Sequence, residues 1–99
     1  MKYFISQPMN GKTNEEIKQE REQIVSAIKE QEPDAEILDS FFEGAPHDAK
    51  PLWFLGKSLE ILSQADVLYC AKGWKDARGC KIEHDCAIAY GITVIEDNN

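Results

Sequence analysis

Short apolar runs alternate with stretches of helical periodicity along the whole chain. The runs are rich in β-branched and aromatic residues and are bounded by glycine, proline or polar residues, as is typical of strands. They are residues 2–6, 36–42, 67–71 and 92–95. The three intervening segments each predict a helix, so the chain has the order βαβαβαβ.

The first predicted helix occupies residues 14–31. Thr13 and Glu16 have the spacing of a capping box, isoleucines follow at helical intervals, and Pro33 lies beyond the end. A second helix is predicted over residues 51–64, because the proline at its start suits the first turn of a helix. Its buried stripe is predicted to be Leu52, Leu55, Leu59 and Leu62.

The third predicted helix follows a loop at residues 73–79. It ends at Tyr90, because Gly91 is placed to terminate it. Its buried stripe is predicted to be Ile82, Cys86, Ala89 and Tyr90.

The alternation of strands and helices predicts an α/β domain with a parallel sheet, because right-handed crossover connections limit the possible topologies. We predict one domain over residues 1–99, with a flavodoxin-like three-layer sandwich and a four-stranded sheet in the order 2-1-3-4. In that order, ligands bind beyond the carboxyl ends of strands one and three. The loops at residues 6–11 and 72–79 are therefore expected to border a binding crevice.

Composition and charge narrow the class of protein. The chain has 99 residues, enough for about one small domain with one core. Its formal net charge of -7 argues against polymeric DNA or RNA as a partner. Three cysteines without paired spacing and an N-terminus without a signal-peptide pattern favour the cytoplasm. No apolar run is long enough to span a membrane.

The most informative acidic residue is Glu83, which we place in the first turn of the third helix. There the positive end of the helix dipole would favour the ionised carboxylate and make Glu83 a ready nucleophile. The alternative is that Glu83 only stabilises the helix start, as acidic residues commonly do. Asp76 and Asp66 lie nearby in the sequence, and two carboxylates in different environments can divide the work of cleaving a glycosidic bond.

Three cations, Lys72, Lys75 and Arg78, lie near the start of the third helix. Together with free N–H groups at that helix end they would hold a phosphate, and ordinary surface charge is the alternative. Cys80 and His84 are four residues apart, but two ligands do not make a metal site. We therefore predict no metal.

Four segments carry a more specific signal in combination. They are residues 2–11, Ala65-Asp66-Val67, Gly73-Trp74, and the pattern Gly79-Cys80-x-x-Glu83-x-x-x-Ala87-x-x-x-Gly91. Together they resemble the nucleoside 2-deoxyribosyltransferase-like superfamily, and more closely its small bacterial and phage members of unassigned function, the DUF4406 group. The resemblance spans nearly the whole chain.

The resemblance implies a flavodoxin-like fold and an oligomer in which a neighbouring subunit can complete each pocket. It implies that Glu83 matches a glutamate that attacks C1′ of a deoxyribose, releases the base and passes the sugar to another base or to water. Residues 6–11 would line the nucleotide pocket, and no separate cofactor is required. The chain departs from the superfamily at Ala77, where the transferases usually have an aspartate. It is also shorter than they are, which favours hydrolysis over transfer.

The sequence thus predicts an enzyme that cleaves or transfers the N-glycosidic bond of a 2′-deoxynucleoside or its 5′-phosphate. A nucleotide-binding module without catalysis is the alternative, and an oligomeric scaffold with a vestigial crevice is a third possibility. The predicted catalytic residues are Glu83, Asp76 and Asp66. The predicted substrate contacts are Ser6, Gln7, Met9, Gly11, Lys72, Gly73, Trp74, Lys75, Arg78 and Gly79.

Overall fold

Four strands and three helices alternate along the chain in a computed structural model that describes residues 1–39 and 45–97. The strands are β1 (Lys2–Ser6), β2 (Glu36–Ile37), β3 (Val67–Cys70) and β4 (Thr93–Glu96). The helices are α1 (Asn14–Gln31), α2 (Pro51–Leu62) and α3 (Arg78–Ala89). A 3₁₀ turn, Trp74–Asp76, precedes α3. The predicted order of elements is confirmed.

The strands form one parallel sheet in the order β2-β1-β3-β4, which confirms the predicted topology of an α/β flavodoxin-like fold. At its carboxyl edge Ser6 is paired with Cys70, and Cys70 is paired with Glu96. β2 is shorter than the predicted second strand because it ends at Ile37. Residues 40–42 of that prediction lie outside the described residues.

Two apolar cores lie on opposite faces of the sheet. Successive residues of a strand point to opposite faces, so β1 contributes alternately to the two cores. The first core, under α1, contains Tyr3, Ile5, Ile24, Ile28, Ala35, Val67 and Ala71. The second core, under α2 and α3, contains Phe4, Leu62, Leu68, Cys70, Trp74, Cys80 and Ala87. The sheet therefore lies between two layers of helix.

α1 begins with the predicted capping box. The Thr13 hydroxyl accepts the N–H of Glu16 at 3.1 Å, and the Glu16 carboxylate accepts the N–H of Thr13 at 3.4 Å. Ile17, Ile24 and Ile28 are buried, and the opposite face is polar and exposed. Within residues 1–39 and 45–97, no helix combines the length and the hydrophobicity that a membrane span requires.

The predicted buried face of α3 is wrong at Ala89 and Tyr90, whereas Ile82 and Cys86 are half-buried and Cys86 packs against the second core. Tyr90 is 84% exposed, and Ala89 is exposed as well. The buried residues of α3 are Cys80, Glu83 and Ala87. Both faces have helical spacing, and the small side chains of Cys80 and Ala87 let the helix lie close to the sheet. Glu83 occupies a buried position because its carboxyl is hydrogen-bonded there.

The predicted stripe of α2 is confirmed only near its C-terminal end. Leu62 is buried, but Leu52 is 75% exposed. α2 packs on the second core through Leu59, Ile61 and Leu62, which all lie in its last turn. The first turn of α2 is therefore outside this core.

Candidate functional site

The carboxyl ends of β1 and β3 lie side by side, where the crevice is predicted. Ser6 pairs with Cys70 at this edge, so the loops that follow the two strands start next to each other. The loops also come close together farther out, since a Cβ atom placed on Gly73 would lie 3.7 Å from Cγ of Pro8. Gly73 has a φ of +87°, which residues with a side chain adopt only with strain. The structure therefore brings the two predicted loops together.

Glu83 reaches from α3 to the end of β1. The Ser6 hydroxyl donates a hydrogen bond of 2.6 Å to Oε1 of Glu83, across 77 positions of the sequence. The hydroxyl of Ser58, on α2, also lies near the Glu83 carboxyl and acts to lower its pKa. Only 7% of Glu83 and 1% of Ser6 are exposed. The Glu83 carboxyl is thus held at the carboxyl edge of the sheet by the hydroxyl of Ser6.

The electrostatic environment of Glu83 differs from the predicted one. α3 begins at Arg78, so Glu83 lies in its second turn and not in the first, and the helix dipole acts mainly on the first turn. Burial raises the pKa of the Glu83 carboxyl, and the hydroxyls of Ser6 and Ser58 oppose that shift. Burial is the larger effect, so the carboxyl binds a proton more readily than an ordinary glutamate does.

Replacing Ser6 with alanine is expected to raise the pKa of Glu83 further, because the Ser6 hydroxyl stabilises the charged carboxylate. NMR titration of the Glu83 side-chain carboxyl carbon measures the change. Ser63→Ala is a matched control, since the exposed Ser63 hydroxyl donates to the backbone carbonyl of Glu60. An unchanged or lowered pKa in Ser6→Ala would show that this hydroxyl does not stabilise the carboxylate.

Asp66 lies at the opposite end of the sheet from Glu83. It precedes β3, and its Oδ2 accepts the backbone N–H of Lys2 at 2.8 Å. The length of β3, roughly 13 Å at the usual rise per residue, separates this end from Ser6 and Cys70. The structure does not bring Asp66 to Glu83. The Asp66 side chain instead supports the start of the pairing between β1 and β3.

The loop after β3 keeps its charged side chains in solvent and its aromatic side chain in the second core. Trp74 is 7% exposed, and its ring stacks on His84 with centroids 4.3 Å apart. It supports the loop from inside, so it does not present a ring face to a ligand. The exposed charged residues of this region are Lys72, Lys75, Asp76 and Arg78.

The loop after β1 is anchored to α1 by Gln7. Its Nε2 donates to the carbonyl of Ile17 at 2.8 Å and to the carboxylate of Glu20 at 3.0 Å, and only 8% of the residue is exposed. Met9 and Gly11 are exposed farther along the loop. These two residues, and not the Gln7 side chain, are what the loop offers to a ligand.

One family model covers nearly the whole chain. It describes a domain of unknown function, DUF4406, and matches residues 1–96. The chain belongs to the DUF4406 family. No curated protein and no solved structure matches the chain. Because the description of DUF4406 gives no activity, the activity has to be argued from the site.

Two buried thiols of this DUF4406 chain lie near the site, and both are poor nucleophiles. Burial raises the pKa of Cys70 to about 12 and is the main reason that the pKa of Cys80 is raised as well. The thiolate is the reactive form of cysteine, so neither thiol is activated at neutral pH. His84 is turned to β4, with Nε2 3.4 Å from Oε1 of Glu96. In the described part of the chain, no three His, Cys, Asp or Glu side chains are grouped as a metal site would require.

Two residues of the DUF4406 site are absent from the sequence prediction. Ser58 shares a helix face with Leu55 and Leu62, so a polar residue inside an apolar stripe is the signal that reveals it. Lys12 forms an ion pair of 3.1 Å with α1, and its charge partly offsets the effect of burial on Cys80. No feature of the sequence distinguishes Lys12 from the other lysines as a residue of the site.

Proposed function

We propose that this protein cleaves or transfers the N-glycosidic bond of a 2′-deoxynucleoside or of its 5′-phosphate, with Glu83 as the nucleophile. The proposal depends on one observation, the buried carboxyl of Glu83. This carboxyl accepts a hydrogen bond of 2.6 Å from the Ser6 hydroxyl, at the edge of the sheet where β1 and β3 end. A carboxylate fixed in one orientation at the ligand-binding edge of a parallel sheet is suited to attack on carbon. The likeness of the motif around Gly79 and Glu83 to the nucleoside 2-deoxyribosyltransferase-like superfamily supports the same reaction.

In the proposed reaction an oxygen of Glu83 attacks C1′ while the bond between C1′ and the base breaks. The sugar is then a glycosyl ester of Glu83, until water or a second base attacks C1′ and frees the carboxylate. Ser6 is placed to orient the carboxylate through its hydrogen bond, and Ser58 lies beside it.

A 5′-phosphate is proposed to bind at the start of α3. Ala77 gives this helix no side-chain cap, so the N–H groups of its first turn are open to an anion. Lys72, Lys75 and Arg78 are exposed around the same helix end and add positive charge.

The sugar and base are proposed to contact the exposed parts of the two loops. These parts are Met9 and Gly11 after β1, and Gly73 with the half-buried Gly79 after β3. Glycines leave room for a ligand to approach the backbone closely. The buried residues Ser6, Gln7 and Trp74 support the site through the hydrogen bonds and packing described above.

Purified protein is expected to release free base from at least one member of a panel of 2′-deoxynucleosides and their 5′-phosphates. Chromatography measures the release, and Glu83→Ala is the control that is expected to release none. Adding a second base separates transfer from hydrolysis, because transfer yields a new nucleoside. If wild type neither releases nor exchanges a base, the proposal is wrong.

A nucleotide-binding module without catalysis is the second candidate, and the burial of Glu83 favours it. Burial raises the pKa of this carboxyl, which lowers the share of the nucleophilic, ionised form. In a pure binding module, nucleotide binding survives Glu83→Ala and wild type shows no turnover. Thermal shift detects such binding, since a ligand at a hundred times its dissociation constant adds about 2.7 kcal/mol to stability.

A further inference from the structure

The loop after β1 is bonded at both of its ends to one side chain of α1, that of Glu20. Oε1 of Glu20 accepts a hydrogen bond of 3.0 Å from Nε2 of Gln7, the first residue after β1. Oε2 accepts a hydrogen bond of 3.1 Å from Nζ of Lys12, the residue before the Thr13 cap of α1. The two oxygens of one carboxylate therefore bind the two ends of the loop. We call Glu20, Gln7 and Lys12 together the Glu20 clamp.

The bonds of the Glu20 clamp lie partly out of solvent. The Lys12 and Glu20 side chains are 28% and 31% exposed, so salt and water screen their ion pair less than they screen a fully exposed pair. Gln7 is buried and also donates to the carbonyl of Ile17 at 2.8 Å. Hydrogen bonds to a carboxylate are stronger than bonds between neutral groups. The clamp is therefore suited to fix both ends of the loop on α1.

The tip of the loop lies between the two clamped ends. The backbone N–H of Lys12 donates to the carbonyl of Met9 at 3.3 Å, which closes a turn in this tip. Met9 and Gly11 are exposed there. Four residues held at both ends have fewer conformations than a free loop has. Less ordering is then required when a ligand binds, which strengthens binding.

The clamp and the Glu83 carboxyl are supported from different sides of the sheet. Gln7 is bonded to α1, whereas the Ser6 hydroxyl is bonded to Glu83 of α3. The backbone of Ser6 is held separately by β3, because its carbonyl accepts the N–H of Ala71 at 2.9 Å. Release of Gln7 from the clamp therefore leaves the support of Glu83 in place. The clamp is expected to affect substrate binding and to leave bond breaking unchanged.

We propose that Glu20 is a positioning residue, which acts through Gln7 and Lys12 to hold the loop after β1 in the conformation that binds the substrate. The inference rests on the proposed function, in which Met9 and Gly11 contact the sugar and base. Without the Glu20 carboxylate the loop populates further conformations, and only a fraction of the molecules is ready to bind. The apparent affinity falls by that fraction.

The negative charge of Glu20 predicts the opposite effect on binding. Removal of an acidic residue weakens the repulsion of an anionic substrate, so charge alone predicts that Glu20→Ala lowers the KM for a 5′-phosphate. Loss of the clamp predicts that the same variant raises this KM. The direction of the change in KM therefore separates positioning of the loop from a general effect of charge.

The test measures kcat and KM of Glu20→Ala with the deoxynucleoside 5′-phosphate from which wild type releases base fastest. KM is expected to rise about 10-fold, which corresponds to a loop that is ready to bind in roughly a tenth of the molecules. The change in kcat is expected to stay below about 2-fold, because the variant loses binding and keeps the bond-breaking step. NMR relaxation of the Gly11 amide is expected to show an order parameter that falls from about 0.85 to below about 0.6.

Glu15→Ala is the matched control on the same helix. Glu15 is exposed, and its carboxylate also accepts a hydrogen bond from a glutamine, at 3.3 Å from Nε2 of Gln19. This variant removes the same charge, but it is expected to leave KM and the order parameter of Gly11 unchanged. Glu20→Gln is a second test variant that keeps the size of the side chain. Its amide has one acceptor oxygen, so it releases one end of the loop and is expected to raise KM by a smaller factor.

The outcomes separate the inference from the proposed function. An unchanged or lowered KM in both Glu20 variants would overturn the inference, and so would a Gly11 order parameter equal to that of wild type. An equal rise of KM in Glu15→Ala would overturn it too, because the effect would then come from the charge of α1. The proposed function would stand in these cases, since wild type releases base. If wild type releases no base from any 5′-phosphate or nucleoside, the proposed function and the inference are both wrong.

Discussion

Glu83→Gln is expected to abolish base release and to leave the fold intact. Glutamine has the same size and can still accept the Ser6 hydrogen bond, but its amide is not a nucleophile. We expect turnover to fall by about 10³-fold or more, as losses of a nucleophile commonly do. Chromatographic assay of released base measures the loss, and circular dichroism checks the fold. Normal activity in this variant would rule out the proposed mechanism.

The free energy of unfolding of the same variant gives an independent test of the environment of the Glu83 carboxyl. Burial raises the pKa of Glu83, so the folded chain binds this proton more tightly than the unfolded chain does. Between the ordinary pKa of glutamate in the unfolded chain and the raised pKa in the folded chain, a rise in pH favours the unfolded chain. Over this range wild type is therefore expected to lose stability relative to Glu83→Gln. Urea unfolding at acidic and neutral pH measures the difference. The opposite trend would mean that Glu83 is paired with a positive charge.

Phe4→Ala is expected to destabilise the protein by about 3–5 kcal/mol, a large part of the roughly 5–15 kcal/mol that holds a small domain together. Phe4 is 1% exposed and belongs to the second core, so its removal leaves a cavity under α2 and α3. Urea unfolding measures the loss. Tyr90→Ala is the matched control, because Tyr90 is 84% exposed and its removal is expected to change stability by about 0.5 kcal/mol or less.

If Phe4→Ala were as stable as Tyr90→Ala, the packing of Phe4 in the second core would not stabilise the fold. Phe4 precedes Ser6 by two positions and therefore points to the same face of the sheet. As urea is added to Phe4→Ala, we accordingly expect base release and the folded fraction to fall at the same urea concentration.

The topology of this fold is predictable because its strands and helices have distinct periodicities. The sheet order in turn predicts that the loops after β1 and β3 come together, and the closeness of Pro8 to Gly73 confirms this. The common direction of the parallel strands also determines the position of Asp66. A residue that precedes β3 lies at the amino edge of the sheet, however close it is to β3 in sequence.

The environment of Glu83 is harder to predict, for two physical reasons. Ala77, which precedes α3, is not a capping residue, so the sequence does not mark the helix start and Glu83 cannot be assigned to a turn. The buried face of α3 is also ambiguous, because two of its stripes have helical spacing. The stripe with small residues packs on the sheet, and this choice converts Glu83 from an exposed acid into a buried one.

The hydrogen bond between Ser6 and Glu83 has a consequence for biogenesis. A ribosome makes β1 first and must add 77 more positions before Glu83 exists to receive the bond. β3 must also be in place, because it pairs with β1 in the finished sheet. Folds that depend on contacts this distant in sequence form slowly. A nascent chain that lacks α3 therefore has no assembled site and cannot carry out the proposed reaction.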